Sequence, residues 1–198
     1  MSHAFADITF TPAVQEAQTR DGSRARYARA FESGGPPRNA ELGPDEAAFI
    51  RAQRSFYMAT VSETGWPYVQ HRGGSPGLLK VVDPKTLSFT DLPGNRQFIS
   101  VGNLAQDARV ALILVDYAHR QRMKLLGRLS VRESSGGGRP QREMTIHVEA
   151  FDWNCPQHIT PRYTQEELAK ILEPMRRRLD DLEAENNRLR ASSGTKNA

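Results

Sequence analysis

The chain has 198 residues, 38% of them hydrophobic and 25% charged, with a formal net charge of +4 and one cysteine, Cys155. That length fits one domain with appendages, and the absence of any run of eighteen apolar residues excludes a transmembrane helix. A lone cysteine excludes an intrachain disulfide, and the first residues lack the basic-then-apolar order of a secretory signal, so a cytoplasmic setting is expected.

Thr11-Pro12 has the form of an N-cap followed by proline at the first helical turn, and predicts a helix to about Arg20 that stops at Asp21-Gly22. Ser23 caps a second helix through Phe31. Ser33-Gly34-Gly35-Pro36-Pro37 is a breaker-rich connection. Gly43-Pro44-Asp45 then opens a short helix that delivers the chain to Ser55. Residues 1–54 hold too little apolar content for a core of their own and read as a helical lead-in packed on the next region.

From Ser55 the pattern changes to strands. The runs SFYMATVS, WPYVQH, LLKVVD, TLSFT, ARVALILVD and MKLLGRLSV are separated by turn chemistry at Glu63-Thr64-Gly65, Gly73 to Gly77 and Asp83-Pro84-Lys85. Short, evenly punctuated strands indicate an antiparallel barrel or sandwich. Phe56, Met58 and Thr60 alternate with Tyr57, Ala59 and Val61, so each set faces one side of a sheet. ARVALILVD is almost continuously apolar, as for a strand covered on both faces. A helix-like insert is expected from Asn95 to Gln106, and His119 to Lys124 reads as a hairpin tip. A glycine-rich loop, 133–140, precedes a last strand, EMTIHVEAF. The barrel region spans residues 55–163.

Residues 164–198 form a third segment. Thr164 and Glu167 fit a capping box. Leu168, Leu172, Met175, Leu179, Leu182, Asn186 and Leu189 recur at alternating spacings of four and three, a heptad seam with Asn186 at an a position. Arg178 with Glu183, and Glu185 with Arg190, stand at g and the following e. Pro174 interrupts the pattern, so a break or kink is expected there, with Pro174 opening the last helix. The seam reads either as an intermolecular coil or as an amphipathic helix lying on its own barrel.

Two polar segments could converge on one dianionic phosphate. In the first, Arg72 offers a bidentate fork, and Gly73 and Gly74 allow close backbone approach. In the second, Gly94-Asn95-Arg96-Gln97, a cation and several amides suit an anion. A third segment, Asp152 to His158, contributes Trp153, Asn154, Cys155 and Gln157, which together suit the wall of a small-molecule pocket. The histidines are too scattered to complete a metal site with Cys155. Neither a P-loop nor a GxGxxG fingerprint is present. The charged runs lack the interleaved aromatics of a single-strand binding surface, so nucleic acid is not an expected partner.

On these residues, Ser55–Val131 resembles the pyridoxamine 5′-phosphate oxidase-like group of flavin-binding split-barrel proteins. The matching segments are RSFYMATVSETGWPYVQHRGG, LLKVVDPKTLSFTDLPGNRQFISVGNLAQDARVALILVDY and KLLGRLSV, with VEAFDWNCPQHITPRY and LEAENNRLR similar to a subgroup. The resemblance implies a six-stranded antiparallel split barrel acting as a homodimer, with FMN in two clefts between subunits. Arg72 to Lys80 would line the flavin, Asn95-Arg96-Gln97 would grip its phosphate, and Trp153 to His158 of the other subunit would close over the ring. GGSPGLL separates Arg72 from Lys80, and Asn95-Arg96-Gln97 carries one cation fewer than the oxidases' Ser-Arg-Lys-like triplet. The expected activity is therefore an FMN-dependent oxidoreductase of an unidentified small molecule and not the vitamin B6 enzyme itself. No residue stands out as an obligate acid or base. The alternatives are a non-catalytic flavin-binding or redox-sensing dimer, or the same barrel carrying deazaflavin or haem.

Overall fold

The computed structural model describes residues 2–31, 36–92, 94–134, 141–153 and 157–194, with backbone only at 134, 141 and 191–194. The chain divides into two compact units, Met1–Asp116 with Arg120–His158, and Tyr117–His119 with Ile159–Ala198.

The first unit is built on seven antiparallel strands: β1 (Ser55–Val61), β2 (Pro67–Gly73), β3 (Lys80–Asp83), β4 (Thr86–Asp91), β5 (Arg109–Asp116), β6 (Gln121–Ser134) and β7 (Gln141–Trp153). Their order is β2-β1-β5-β6-β7-β4-β3. Three strands lie between β1 and β4 in that order. Even so, the rings of Phe56 and Phe89 meet edge to face at 5.2 Å, and Arg72 on β2 bonds Asp91 on β4. The sheet therefore curls until its two halves face each other, while its edge strands β2 and β3 stay unpaired with each other. This is the predicted split barrel with flanking helices, carrying seven strands where the resemblance implied six.

Alternation sets the interior. Phe56, Met58 and Thr60 are buried, as are Val110, Leu112 and Leu114, and the apolar ones join Leu87, Phe89, Met123, Leu125, Met144, Ile146 and Val148 in one core. The outer residues of β5, Ala111, Ile113 and Val115, are only half-buried, so the expectation of a strand covered on both faces is met on one face within the single chain. A bulge between Leu126 and Gly127 shifts the β6–β7 register. There a Cβ on Gly127 would run into the backbone carbonyl of His147 and lie 2.9 Å from Ile146 Cγ2, so the close approach needs glycine.

The lead-in contains α1 (Ala4–Thr9), which the sequence reading missed, α2 (Pro12–Asp21), α3 (Arg24–Phe31) and α4 (Pro44–Ala52). Thr11 caps α2 by accepting from Val14 N, and Gly22 ends it in the left-handed conformation at φ 80. Only α1 and α4 bury residues: Ala4 and Ala6, then Ala47, Phe49 and Ile50. Backbone bonds stitch the lead-in to the sheet, from Leu42 N to Pro84 O at 2.8 Å and from Phe151 N to Asn39 O at 2.9 Å. A fifth helix precedes β5. It begins at Ile99, not at Asn95 as expected, and this α5 (Ile99–Leu104) has only six residues.

The second unit is dominated by α6 (Gln165–Gly194). Its capping box forms as predicted, with Thr164 N donating to Glu167 Oε2 at 2.7 Å and Glu167 N to Thr164 Oγ1 at 3.2 Å. The predicted break at Pro174 does not occur: α6 is one thirty-residue helix with Pro174 inside it. No helix among the described residues is long and apolar enough to cross a membrane.

Candidate anion-binding cleft

Strand β2 is an edge, and its inward face is polar where the rest of the barrel interior is mostly apolar. Alternation turns Tyr68, Gln70 and Arg72 inward, half-buried, while Val69 and His71 face out. Beside them lies a cleft of about 270 Å³, lined also by Asp91, Leu92, residues 94–101 and Arg142. Helix α5 positions its rim. Asn103 Nδ2 donates to the buried Thr60 hydroxyl at 2.9 Å, and Ser100 Oγ donates to Gln70 Oε1 at 2.9 Å. These two bonds fasten α5 to β1 and β2.

The loop Gly94 to Phe98 reaches α5 through two non-glycine residues in the left-handed region, Arg96 at φ 62 and Phe98 at φ 54. Each costs on the order of 1 kcal/mol, so the surrounding anchors must hold the conformation. Asn95 Oδ1 accepts from Gln97 N at 3.2 Å. The Phe98 ring lies under the Arg142 guanidinium, 4.5 Å from centroid to Cζ.

Charge in the cleft centres on Asp91. Arg72 Nη1 donates to its Oδ1 at 2.6 Å, with the two side chains only 10% and 15% exposed, and Arg142 Nη1 stands 3.8 Å from Oδ2. Asp91 and Arg142 are direct cross-strand partners of β4 and β7, so the sheet register itself sets this pair. Arg72 also stacks over Phe89 at 5.0 Å. Its Nε is buried with no hydrogen-bond partner among the described residues. Arg96 is exposed and makes no ion pair among them. Arg72, Arg96 and Arg142 against Asp91 leave the described lining with two surplus positive charges, which suits a dianion.

Arg72, Asn95, Arg96 and Gln97 thus share one cleft, as the sequence suggested. Other candidates do not. Gly74 donates its N–H to Arg54 O at 2.8 Å, so that amide is committed to protein. A Cβ on Gly73 would touch His71, and one on Gly74 would touch Leu78, so the close approaches at these glycines are to the protein itself. Lys80 opens β3, exposed and opposite Ser88, and does not line the cleft. Trp153 ends β7, donating from Nε1 to Glu46 Oε1 at 2.9 Å and meeting Phe49 edge to face at 4.7 Å. Gln157 is exposed, and Asn154 and Cys155 lie outside the described residues. The sequence reading missed Asp91, Arg142 and Phe98. For Tyr68 and Gln70 a signal existed, since their spacing from Arg72 is that of one strand face.

The structure is thus a split barrel whose polar edge opens on an arginine-lined cleft. The family model described as pyridoxamine 5′-phosphate oxidase matches residues 42–144, a little over half of the sequence, and the chain belongs to that family. The match takes in Arg72, Asp91, Arg96 and Arg142 but stops short of Trp153 and α6. No curated protein sequence matches. Among solved structures, the chain is similar to a putative pyridoxamine 5′-phosphate oxidase from Lactobacillus delbrueckii, at 18% identity and TM-score 0.48, over 58% of this chain and 96% of that one. It is similar to an F420 reductase at 14% identity and TM-score 0.43, over 56% and 98%. It is also similar to HutZ, the heme storage protein of Vibrio cholerae, at 13% identity and TM-score 0.42, over 56% and 93%.

Proposed function

We propose that the chain is an FMN-dependent oxidoreductase of a small molecule, acting in the cytoplasm as a homodimer with the flavin held in two clefts between subunits. The observation that carries this reading is the convergence of Arg72, Arg96 and Arg142 on one cleft with a surplus of positive charge. The residues fit a flavin phosphate. Arg72 lines the cleft, and its buried Nε has no acceptor among the described residues, an unsatisfied donor that costs about 1–3 kcal/mol. Arg96 and Arg72 neutralise the phosphate, and Asn95 and Gln97 add hydrogen bonds from the rim. At about 270 Å³ the cleft falls short of the roughly 300–1,000 Å³ of a complete small-molecule site, which favours a second subunit supplying the remaining wall.

The outer face of β2, β1 and β5 is the surface we assign to that subunit. Register places Tyr57 between His71 and Ile113, and Ala59 between Val69 and Ala111, while Val69 is 60% exposed. A contiguous apolar sheet face of this kind is normally covered. In the dimer, Trp153 and Gln157 of the other subunit would approach the flavin ring.

Bound FMN supplies the hydride and electron chemistry; the protein binds and orients it. Among the described lining residues there is no histidine, cysteine or lysine, and the one carboxylate, Asp91, is ion-paired. That favours either a reaction needing little protein acid–base catalysis or the second reading, a flavin-binding dimer without turnover.

The absorption spectrum of the purified protein, with and without added FMN, tests the cofactor. Flavin bands with stoichiometric FMN on denaturation are expected; a colourless protein that ignores FMN sinks the proposal. Deazaflavin or haem would reveal itself by its own bands. Turnover with NADH, NADPH or oxygen across a substrate panel separates the oxidoreductase from the non-catalytic dimer.

A further inference from the structure

We infer that α6 pairs with α6 of a second copy of this chain as a parallel, in-register two-stranded coil, and that Asn186 sets the register. The inference shares only the two-chain stoichiometry with the reading above and uses no residue of the cleft.

At thirty residues, α6 is about 45 Å long. Its side chains from Leu168 to Arg190 are all exposed in the single chain. Leu168, Leu172, Met175, Leu179, Leu182 and Leu189 are between 40% and 66% exposed. Most helical stability in proteins comes from burying an amphipathic face, and here that face is a narrow seam. Leu172, Leu179 and Asn186 take the a positions; Leu168, Met175, Leu182 and Leu189 take d. This spacing matches a 3.5-residue repeat, the period of a left-handed coil.

The uninterrupted helix fits the same register. Pro174 stands at c, away from the seam. The carbonyl that its missing N–H leaves unbonded belongs to Lys170 at f, where water can satisfy it. The outward positions Glu173, Arg177, Asp180, Asp181 and Arg188 mix both signs, which suits water and not lipid, and Arg177 Nε donates to Glu173 Oε1 at 3.0 Å.

The seam is complementary to itself. In a parallel pair, Arg178 at g faces Glu183 at e of the second copy, and Glu185 faces Arg190, so both of these contacts are between opposite charges. Charge alone does not decide orientation, because an antiparallel pair centred between Leu179 and Leu182 also sets Arg178 against Glu185. Asn186 decides it. In the parallel coil it meets Asn186, and the two amides bond each other. In that antiparallel coil it lies against Met175, leaving a buried amide without a partner, at about 1–3 kcal/mol.

The test is disulfide formation in the full chain with Cys155→Ser as background. Parallel pairing brings Leu189 against Leu189, within the Cα separation that a disulfide accepts. Leu189→Cys should therefore give a covalent dimer on oxidation, while Ala184→Cys on the outer face should not. Leu172→Cys with Leu189→Cys linking between chains, when Leu189→Cys alone does not, establishes the antiparallel coil and overturns the inference. So does the absence of any cross-link in protein whose circular dichroism retains α6. Adding Asn186→Leu should tighten the pair but relax its register, so that the Leu172–Leu189 link appears as well; an unchanged pattern removes the role given to Asn186. Because the readout is independent of flavin, colourless protein that cross-links sinks only the cofactor. Yellow protein that does not cross-link sinks only the coil.

Discussion

The two ends of β7 carry similar groups in different surroundings. Each places an aromatic–charge group beside the strand: Arg142 with Asp91 and Phe98 at the start, Trp153 with Glu46 and Phe49 at the finish. At about 3.3 Å per residue, eleven steps of strand separate them by roughly 36 Å. The first group borders a cleft with surplus positive charge. At the second, Asp45, Glu46 and Asp116 line an open groove beside Trp153, a setting that repels phosphate. Two segments that suit one cofactor can therefore belong to one site only if the second comes from another chain.

The largest expected effect lies at the Arg142 end. Arg72→Ala leaves the Asp91 carboxylate, 15% exposed, short of its closest cation. Breaking such a pair costs about 3 kcal/mol, a fall of roughly 6–12 °C in the melting temperature. FMN affinity should drop by at least ~10-fold, since a charge-assisted bond contributes about 1.5–3 kcal/mol. Thermal unfolding and FMN titration check both. A variant that melts like the parent and binds FMN equally well removes Arg72 from the site.

Opposite the middle of β7, Gly127→Ala on β6 probes the scaffold that joins the two ends. The new Cβ would run into the His147 carbonyl, which is backbone and cannot swing aside. Overpacking of this kind costs about 2 kcal/mol, or roughly 4–8 °C. A neutral outcome would mean that the β6–β7 bulge can move without disturbing the barrel.

How much of this was legible in sequence differs with the range of the interaction. Strands were readable because Phe56, Met58 and Thr60 repeat at a period of two, and the approach of Arg72 to Arg96 followed from turn and charge chemistry. The Asp91–Arg142 pair was not, because it depends on the β4–β7 register, between residues remote in sequence. The expected helix start at Asn95 failed for a local reason: Arg96 and Phe98 adopt left-handed conformations, which a right-handed helix cannot include. Pro174 misled in the opposite sense, since proline breaks a helix only where the lost bond cannot be replaced. Gly73 and Gly74 carry the turn chemistry of a ligand loop, yet the Gly74 amide bonds Arg54, a partner that only the fold reveals.

Arg96→Gly separates binding from folding. Arg96 is exposed at φ 62, a conformation that glycine adopts without strain, so thermal stability should hold or rise slightly. FMN affinity should still fall about 10-fold, the equivalent of ~1.4 kcal/mol, and added salt should narrow the difference from the parent. Equal affinities at low salt would take the Gly94 to Phe98 rim out of the phosphate site.

The smallest effect belongs to the Trp153 end, where His3 is buried beside Asp152. Its Nε2 stands 3.7 Å from Asp152 Oδ1, and its Nδ1 is buried without a hydrogen-bond partner among the described residues. Burial lowers the His3 pKa below the ordinary 6.5, Asp152 opposes that shift, and Arg38 adds to it. Between 6.5 and the lowered value the unfolded chain binds a proton at this site more readily than the folded chain does. Stability should therefore decline as pH falls through that window and be unaffected by His3 above it. His3→Gln carries no titrating ring, so the melting temperature of the parent should lose more than that of the variant between pH 7.5 and pH 5.5. FMN binding, governed from the far end of β7, should be the same in both proteins across that range. Parallel melting curves would show that His3 takes up its proton without opening the α1–β7 contact.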